Sequence, residues 1–153
     1  MTGTAGRPDP GLPDPGLPDP ADLIPHRSPF LLVDRLIELR PGDSAVGEWD
    51  ITPELWFLAG HFPGRPVVPG VLQVEALAQT AACALGADER FVGRIPLFGG
   101  IDRARFRRQV VPGDTLRLEV QMTRLSGRGG RGTGVATVGG ATSAEVEMMF
   151  VFG

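Results

Sequence analysis

Residues 69–85 are apolar on almost every helical face, and this stretch constrains the fold more than any other. Pro69 near the first turn does no harm, because its missing N–H would have no partner there. Val71, Leu72, Val74, Leu77, Ala78, Ala81, Ala82 and Leu85 then leave little polar face to turn to water. A helix of this kind is buried, not laid on a surface. Gly86 is placed at C′, where it ends the helix.

The rest of the chain supplies strands to enclose the helix. Residues 30–39 are rich in strand formers, and residues 44–51 alternate well enough for a second strand after the turn Pro41-Gly42-Asp43. Strands are also predicted at 95–107, 115–124, 133–138 and 143–152, with a turn at Val111-Pro112-Gly113-Asp114 and a Gly/Arg loop at 126–132. Short connections between consecutive strands favour antiparallel pairing. The expected class is α+β: a long buried central helix wrapped by a curved antiparallel sheet of about six strands.

A chain of 153 residues is one domain with a sizeable core, expected over residues 21–153. Residues 1–20 carry Gly-Leu-Pro-Asp-Pro twice, at 11–15 and 16–20, and read as a disordered Pro-rich tail. No apolar run is long enough to span a membrane. The N-terminus lacks the basic region and apolar stretch of a secretory signal. The single cysteine, Cys83, excludes an intramolecular disulfide and fits a reducing cytoplasm. All 15 basic residues are Arg; the absence of Lys and Tyr removes Schiff-base lysine chemistry and a tyrosine acid.

Two residues stand out chemically. Glu75 sits where the helix calls for a hydrophobe, with Val71, Leu72, Ala78 and Gln79 as its helical neighbours. Burial there disfavours the charged carboxylate, so Glu75 could hold a proton and donate it; the alternative is a solvent-facing Glu or one paired with an Arg. His61 lies in the stiff turn Gly60-His61-Phe62-Pro63-Gly64-Arg65-Pro66 and is either a base or a turn histidine without a role. The Gly70 and Val71 N–H groups at the helix start are placed to polarise a carbonyl oxygen. A base, an acid and an oxyanion donor suit β-elimination next to the carbonyl of a thioester or ketone.

Other motifs carry less. Gly127-x-Gly129-x-x-Gly132 matches a dinucleotide pattern by letters, but strand follows it, not helix. The same loop has too few arginines for a nucleic-acid footprint. His26 and His61 lack metal-ligand spacing, so neither metal nor nucleic acid is expected. Cys83 is read as a small core residue. On a strand, Arg103, Arg105 and Arg107 would share one face, opposite Ala104 and Phe106. With Arg108 they form either a solvated face or a surface for an acidic partner or a phosphate.

The segments Leu23–Arg35, Gly60–Pro66, Pro69–Gln79, Gly100-Ile101-Asp102, Ala104–Arg108 and Val111–Asp114 resemble the FabZ-type (3R)-hydroxyacyl-(acyl-carrier-protein) dehydratases. The resemblance implies the hot-dog fold, and dehydration of (3R)-hydroxyacyl thioesters on acyl carrier protein to trans-2-enoyl thioesters. Such chemistry serves fatty-acid or polyketide and polyene chain building in the cytoplasm, without cofactor or metal. It implies a dimer in which His61 of one subunit faces Glu75 of the other, assembled as a homodimer, a trimer of dimers, or a heterodimer with a related chain. His61 would abstract the α-proton. Glu75, with a water held by Gln79, would protonate the departing hydroxyl. The Gly70 N–H would polarise the thioester carbonyl, and the Val67 carbonyl would orient the His61 ring. Arg103, Arg105, Arg107 and Arg108 would dock the carrier protein and its phosphopantetheine phosphate. Relatives that also isomerise the double bond usually carry Asp at the acid position, so Glu75 favours simple dehydration. Ser28 stands where the family commonly has an aromatic residue, and the C-terminal third is unusually rich in Gly, Thr and Ser. The alternatives are a non-catalytic or half-site partner in a heteromeric dehydratase, and a hot-dog thioesterase.

Overall fold

The computed structural model describes residues 16–153. Most of the Pro-rich tail expected over 1–20 lies outside the described residues. Its last part belongs with the folded chain: Leu17 packs against the core, and the Asp19 carboxylate accepts from the Ala21 N–H to cap helix α1 (Pro20–Leu23).

The long helix α2 runs Gly70–Gly86, as its apolar pattern requires. Ala76, Leu77, Ala81, Cys83, Ala84 and Leu85 are fully buried. Six strands surround it: β1 (Arg35–Arg40), β2 (Ser44–Asp50), β3 (Pro96–Phe106), β4 (Thr115–Ser126), β5 (Gly129–Val138) and β6 (Ala141–Phe152). All pair antiparallel, in the order β1-β2-β4-β5-β6-β3. The helix packs against β2 through β6, so the sheet encloses it. Strand β4 alternates as its sequence predicts, with Leu116, Leu118, Val120 and Met122 inward.

The inner face of β5 explains the glycine-rich C-terminal third. Gly130, Gly132 and Gly134 occupy its buried positions. A Cβ on Gly134 would lie 3.2 Å from Leu77 and 3.1 Å from Val146, so side chains there would push the sheet off the helix.

Three expectations are corrected. Of the strand expected over 30–39, only residues 35–39 join the sheet, as part of β1 (Arg35–Arg40). Phe30 and Leu32 instead bond to the side chain of Gln79, which takes the place of a neighbouring strand. The loop expected at 126–132 shrinks to a turn at Gly127-Arg128, since glycine at 129, 130 and 132 does not stop the β4–β5 ladder. Gly86 is the last helical residue and not a left-handed C′. Its reason for being glycine is a close approach: a Cβ would lie 2.2 Å from the Leu23 carbonyl oxygen.

Candidate active site

A short 3-10 turn, Leu58–Gly60, delivers His61. The His61 N–H bonds to Leu58 O, Phe62 and Arg65 exchange both backbone bonds, and Val67 N–H returns to His61 O at 2.8 Å. The loop is therefore closed by its own backbone. The Val67 carbonyl also takes a hydrogen bond of 2.7 Å from Nδ1 of the His61 ring. A carbonyl oxygen only accepts, so Nδ1 carries the hydrogen and a neutral ring presents Nε2 as a bare base. Phe62 stacks on the ring with centroids 4.1 Å apart.

The start of α2 lies beside this imidazole. Leu72 and Gln73 N–H bond back to Pro69 O, while Gly70 and Val71 precede the first N–H with an intrahelical acceptor. A cavity of about 580 Å³ opens here, lined by His61, Val67, Gly70, Gln73, Phe106 and Arg108 among others. Gly70 must be small: a Cβ would sit 2.9 Å from the Phe106 ring. A bare imidazole nitrogen and free N–H groups at the positive end of a helix thus share one cavity.

Glu75 does not line that cavity, and no hydrogen bond or ion pair joins it to His61 among the described residues of one chain. Its setting also differs from the apolar one expected. The carboxylate is partly exposed; its Oε1 accepts from Gln79 Nε2 at 3.0 Å, and His26 Nε2 lies 3.6 Å away. Gln79 is buried and holds three partners: it donates to Glu75 and to Phe30 O, and its Oε1 accepts from the Leu32 N–H. With its amide so committed, Gln79 clamps Glu75 to the 30–32 segment.

The arginines divide. Arg103 and Arg105 project from the outer face of β3 next to Glu147 and Glu145, which stand opposite them on β6. Arg107, just beyond the strand, bonds Glu145 through Nε and a terminal nitrogen. Arg107 and Arg108 also line the His61 cavity. The positive face is therefore interleaved with carboxylates, because β6 brings alternating Glu residues to the same side.

A larger cavity, about 670 Å³, lies between Trp49, Trp56, Ser28 and the carboxylates of Asp34, Asp50 and Glu54; it contains neither His61 nor Glu75. Burial pushes the Asp34 carboxyl above its ordinary range, and the Arg35 guanidinium holds Asp50 below it. Among the described residues, no group of His, Cys, Asp and Glu is arranged to hold a metal ion. Among the described residues no helix is long and apolar enough to cross a membrane. Two site residues escaped sequence reasoning: His26 beside Glu75, and Gln73, whose buried amide is bonded by Ser143 Oγ at 2.8 Å. Neither has a local signal, because both partners are distant in sequence.

The FabA-like domain model matches residues 24–147. The chain belongs to the FabA-like family. The 3-hydroxyacyl-(acyl-carrier-protein) dehydratase FabZ of Moorella thermoacetica is 55% identical over 131 residues, covering 86% of this chain and 92% of that protein. The FabZ of Clostridium botulinum strain Kyoto is 53% identical over 131 residues, covering 86% and 91%. These relationships make the chain a FabZ-type dehydratase, a hydro-lyase. Solved structures share the hot-dog architecture at low identity. Protein PA5202 of Pseudomonas aeruginosa aligns with TM-score 0.68 at 16% identity, covering 88% of this chain and 99% of that one. The dehydratase heterocomplex ApeI:P from Xenorhabdus doucetiae aligns with TM-score 0.60 at 22% identity, covering 76% and 96%. The E. coli PaaI protein aligns with TM-score 0.60 at 18% identity, covering 76% and 80%.

Proposed function

We propose that this dehydratase removes water from (3R)-hydroxyacyl thioesters on acyl carrier protein, at a site shared by two copies of the chain. The observation that carries the reading is the His61–Val67 hydrogen bond, which leaves His61 Nε2 as a base in the cavity where Gly70 presents its N–H. Nε2 takes the α-proton, and Val67 O steadies the imidazolium that results. The Gly70 N–H bonds the thioester oxygen as negative charge builds there. The β-carbon–oxygen bond breaks, and the Glu75 carboxyl protonates the hydroxyl, which leaves as water. The product is a trans-2-enoyl thioester, as fatty-acid or polyketide chain building requires.

A second copy supplies the missing contact between His61 and Glu75. What supports this is the edge of β3, free among the described residues, which exposes Leu97 (54%), Ile101 (52%) and Phe106 (51%), with Val71 of α2 at 71%. An unpaired edge with apolar side chains calls for a partner strand, and another β3 has the matching chemistry. Arg107 and Arg108 at the cavity mouth receive the phosphopantetheine phosphate; Arg103 and Arg105 extend the docking surface for the acidic carrier. A cytoplasmic location belongs to the same reading.

The test is complementation. His61→Ala and Glu75→Gln homodimers each lose roughly 10²-fold or more in rate. Mixed dimers assembled from both variants regain activity, because one of the two sites then holds both groups. Mixed dimers as inactive as the parents would overturn the shared site. Loss of water, read as a change in the mass of the intact carrier, checks the reaction itself.

A further inference from the structure

We infer that His26 is a positioning residue for Glu75, donating from Nε2 to Oε1 so that the reactive proton is carried by Oε2. The inference deepens the proposed function and rests on Glu75 being its acid.

Three observations meet at this carboxyl. First, His26 Nε2 and Gln79 Nε2 approach the same oxygen, Oε1, at 3.6 and 3.0 Å. Among the described residues Oε2 has no such partner. Second, Nδ1 of His26 is buried with no hydrogen-bond partner among the described residues. A hydrogen there would be an enclosed, unpaired donor, whereas on Nε2 it meets a carboxylate oxygen. Third, the backbone that carries His26 is pinned: the Arg27 guanidinium donates to His26 O at 2.6 Å and to Ile24 O at 2.9 Å. The ring is held facing the helix by its own neighbour.

The consequence is chemical. Two donors on Oε1 leave that oxygen as the acceptor of the pair. The acidic hydrogen then belongs on Oε2, the oxygen free to meet a leaving hydroxyl. At 3.6 Å the His26 contact is longer than a formed hydrogen bond, as such contacts often are before substrate binds. The two histidines of the chain thus carry opposite tautomers: hydrogen on Nδ1 in His61 and on Nε2 in His26.

The experiment has two arms. Nitrogen-15 NMR of the ring nitrogens in the intact protein, with His26→Ala to assign them, reads the tautomers without any turnover. Hydrogen on Nε2 of His26 is expected; hydrogen on Nδ1 overturns the inference. The second arm measures dehydration of a (3R)-hydroxyacyl carrier-protein thioester. His26→Ala is expected to lower kcat roughly 10-fold with KM nearly unchanged, the loss of one hydrogen bond to a charged group. His26→Gln, whose amide N–H stands in for Nε2–H, recovers most of it. In a Glu75→Gln background His26→Ala costs nothing further. Equal losses in both backgrounds, or a change in KM alone, overturn the positioning role. Full activity of Glu75→Gln by itself would instead strike the proposed acid, a failure visible before any His26 variant is compared.

Discussion

The Leu32 N–H bonds the side chain of Gln79, 2.8 Å away and 47 residues later in the chain. This bond ties the segment before β1 to the middle of the buried helix, and the same amide holds Phe30 O and Glu75.

Gln79→Ala therefore removes a structural clamp and the hydrogen bond to Glu75 together. It leaves the buried Leu32 N–H and the Phe30 carbonyl without their partner, at about 1–3 kcal/mol for each group that water cannot reach. The melting temperature is expected to fall by several degrees, roughly 2–4 °C per kcal/mol in a chain of this size. Calorimetry checks the stability, and the dehydration rate should fall beyond what partial unfolding explains.

Gly86→Ala should destabilise although Ala is the better helix former. The added Cβ would stand 2.2 Å from Leu23 O, a backbone atom that cannot swing away. A loss of about 1–3 kcal/mol is expected from such overpacking. Gly127→Ala, whose Cβ would meet no heavy atom within 4 Å beyond its two chain neighbours among the described residues, should stay within about 0.5 kcal/mol of the parent. Urea unfolding of the two variants separates them.

Acid sensitivity should trace in part to Asp50. Arg35 donates to both its oxygens, at 2.9 and 3.0 Å, and Thr115 adds a third bond at 2.9 Å. These bonds lower its proton affinity in the folded state below the ordinary value of 3.8. The stability they provide is present above pH 3.8 and is lost as pH falls through the depressed value. Because the Asp50 side chain is 42% exposed, water screens the pair and the term is at most about 1 kcal/mol. Asp34 works in the opposite sense: burial raises its value, so its contribution is fullest below 3.8 and declines as pH rises through the raised value. Asp50→Asn should flatten the fall in melting temperature below pH 4, and Asp34→Asn should not.

Cys83 should resist thiol reagents in the native protein. Burial in α2 pushes its thiol up to about 12, so almost none is thiolate at neutral pH. Labelling is expected only after denaturation, in step with loss of structure. Rapid labelling of the folded protein would contradict the packing of this helix.

The central helix, the strands and the His61 turn were legible in the sequence because their signals are local. Apolar residues recur at helical spacing through 69–85, β4 alternates, and Pro and Gly punctuate the loop around His61. Two of the proposed site residues were legible for a related reason: Glu75 interrupts an apolar pattern, and Gly70 follows a proline at a helix start. What these residues touch was decided by the tertiary structure. Gln79 takes up the backbone of residues 30–32, so the expected strand begins only at Arg35. His26 reaches Glu75 across 49 residues of chain, and Glu145 and Glu147 of β6 divide the arginines of β3. Gly86 was misread as a helix stop because the atom that excludes a side chain there, Leu23 O, belongs to another helix. Periodicity and turn chemistry act between near neighbours in the chain. Hydrogen bonds and close approaches between distant segments exist only once the sheet has closed around the helix.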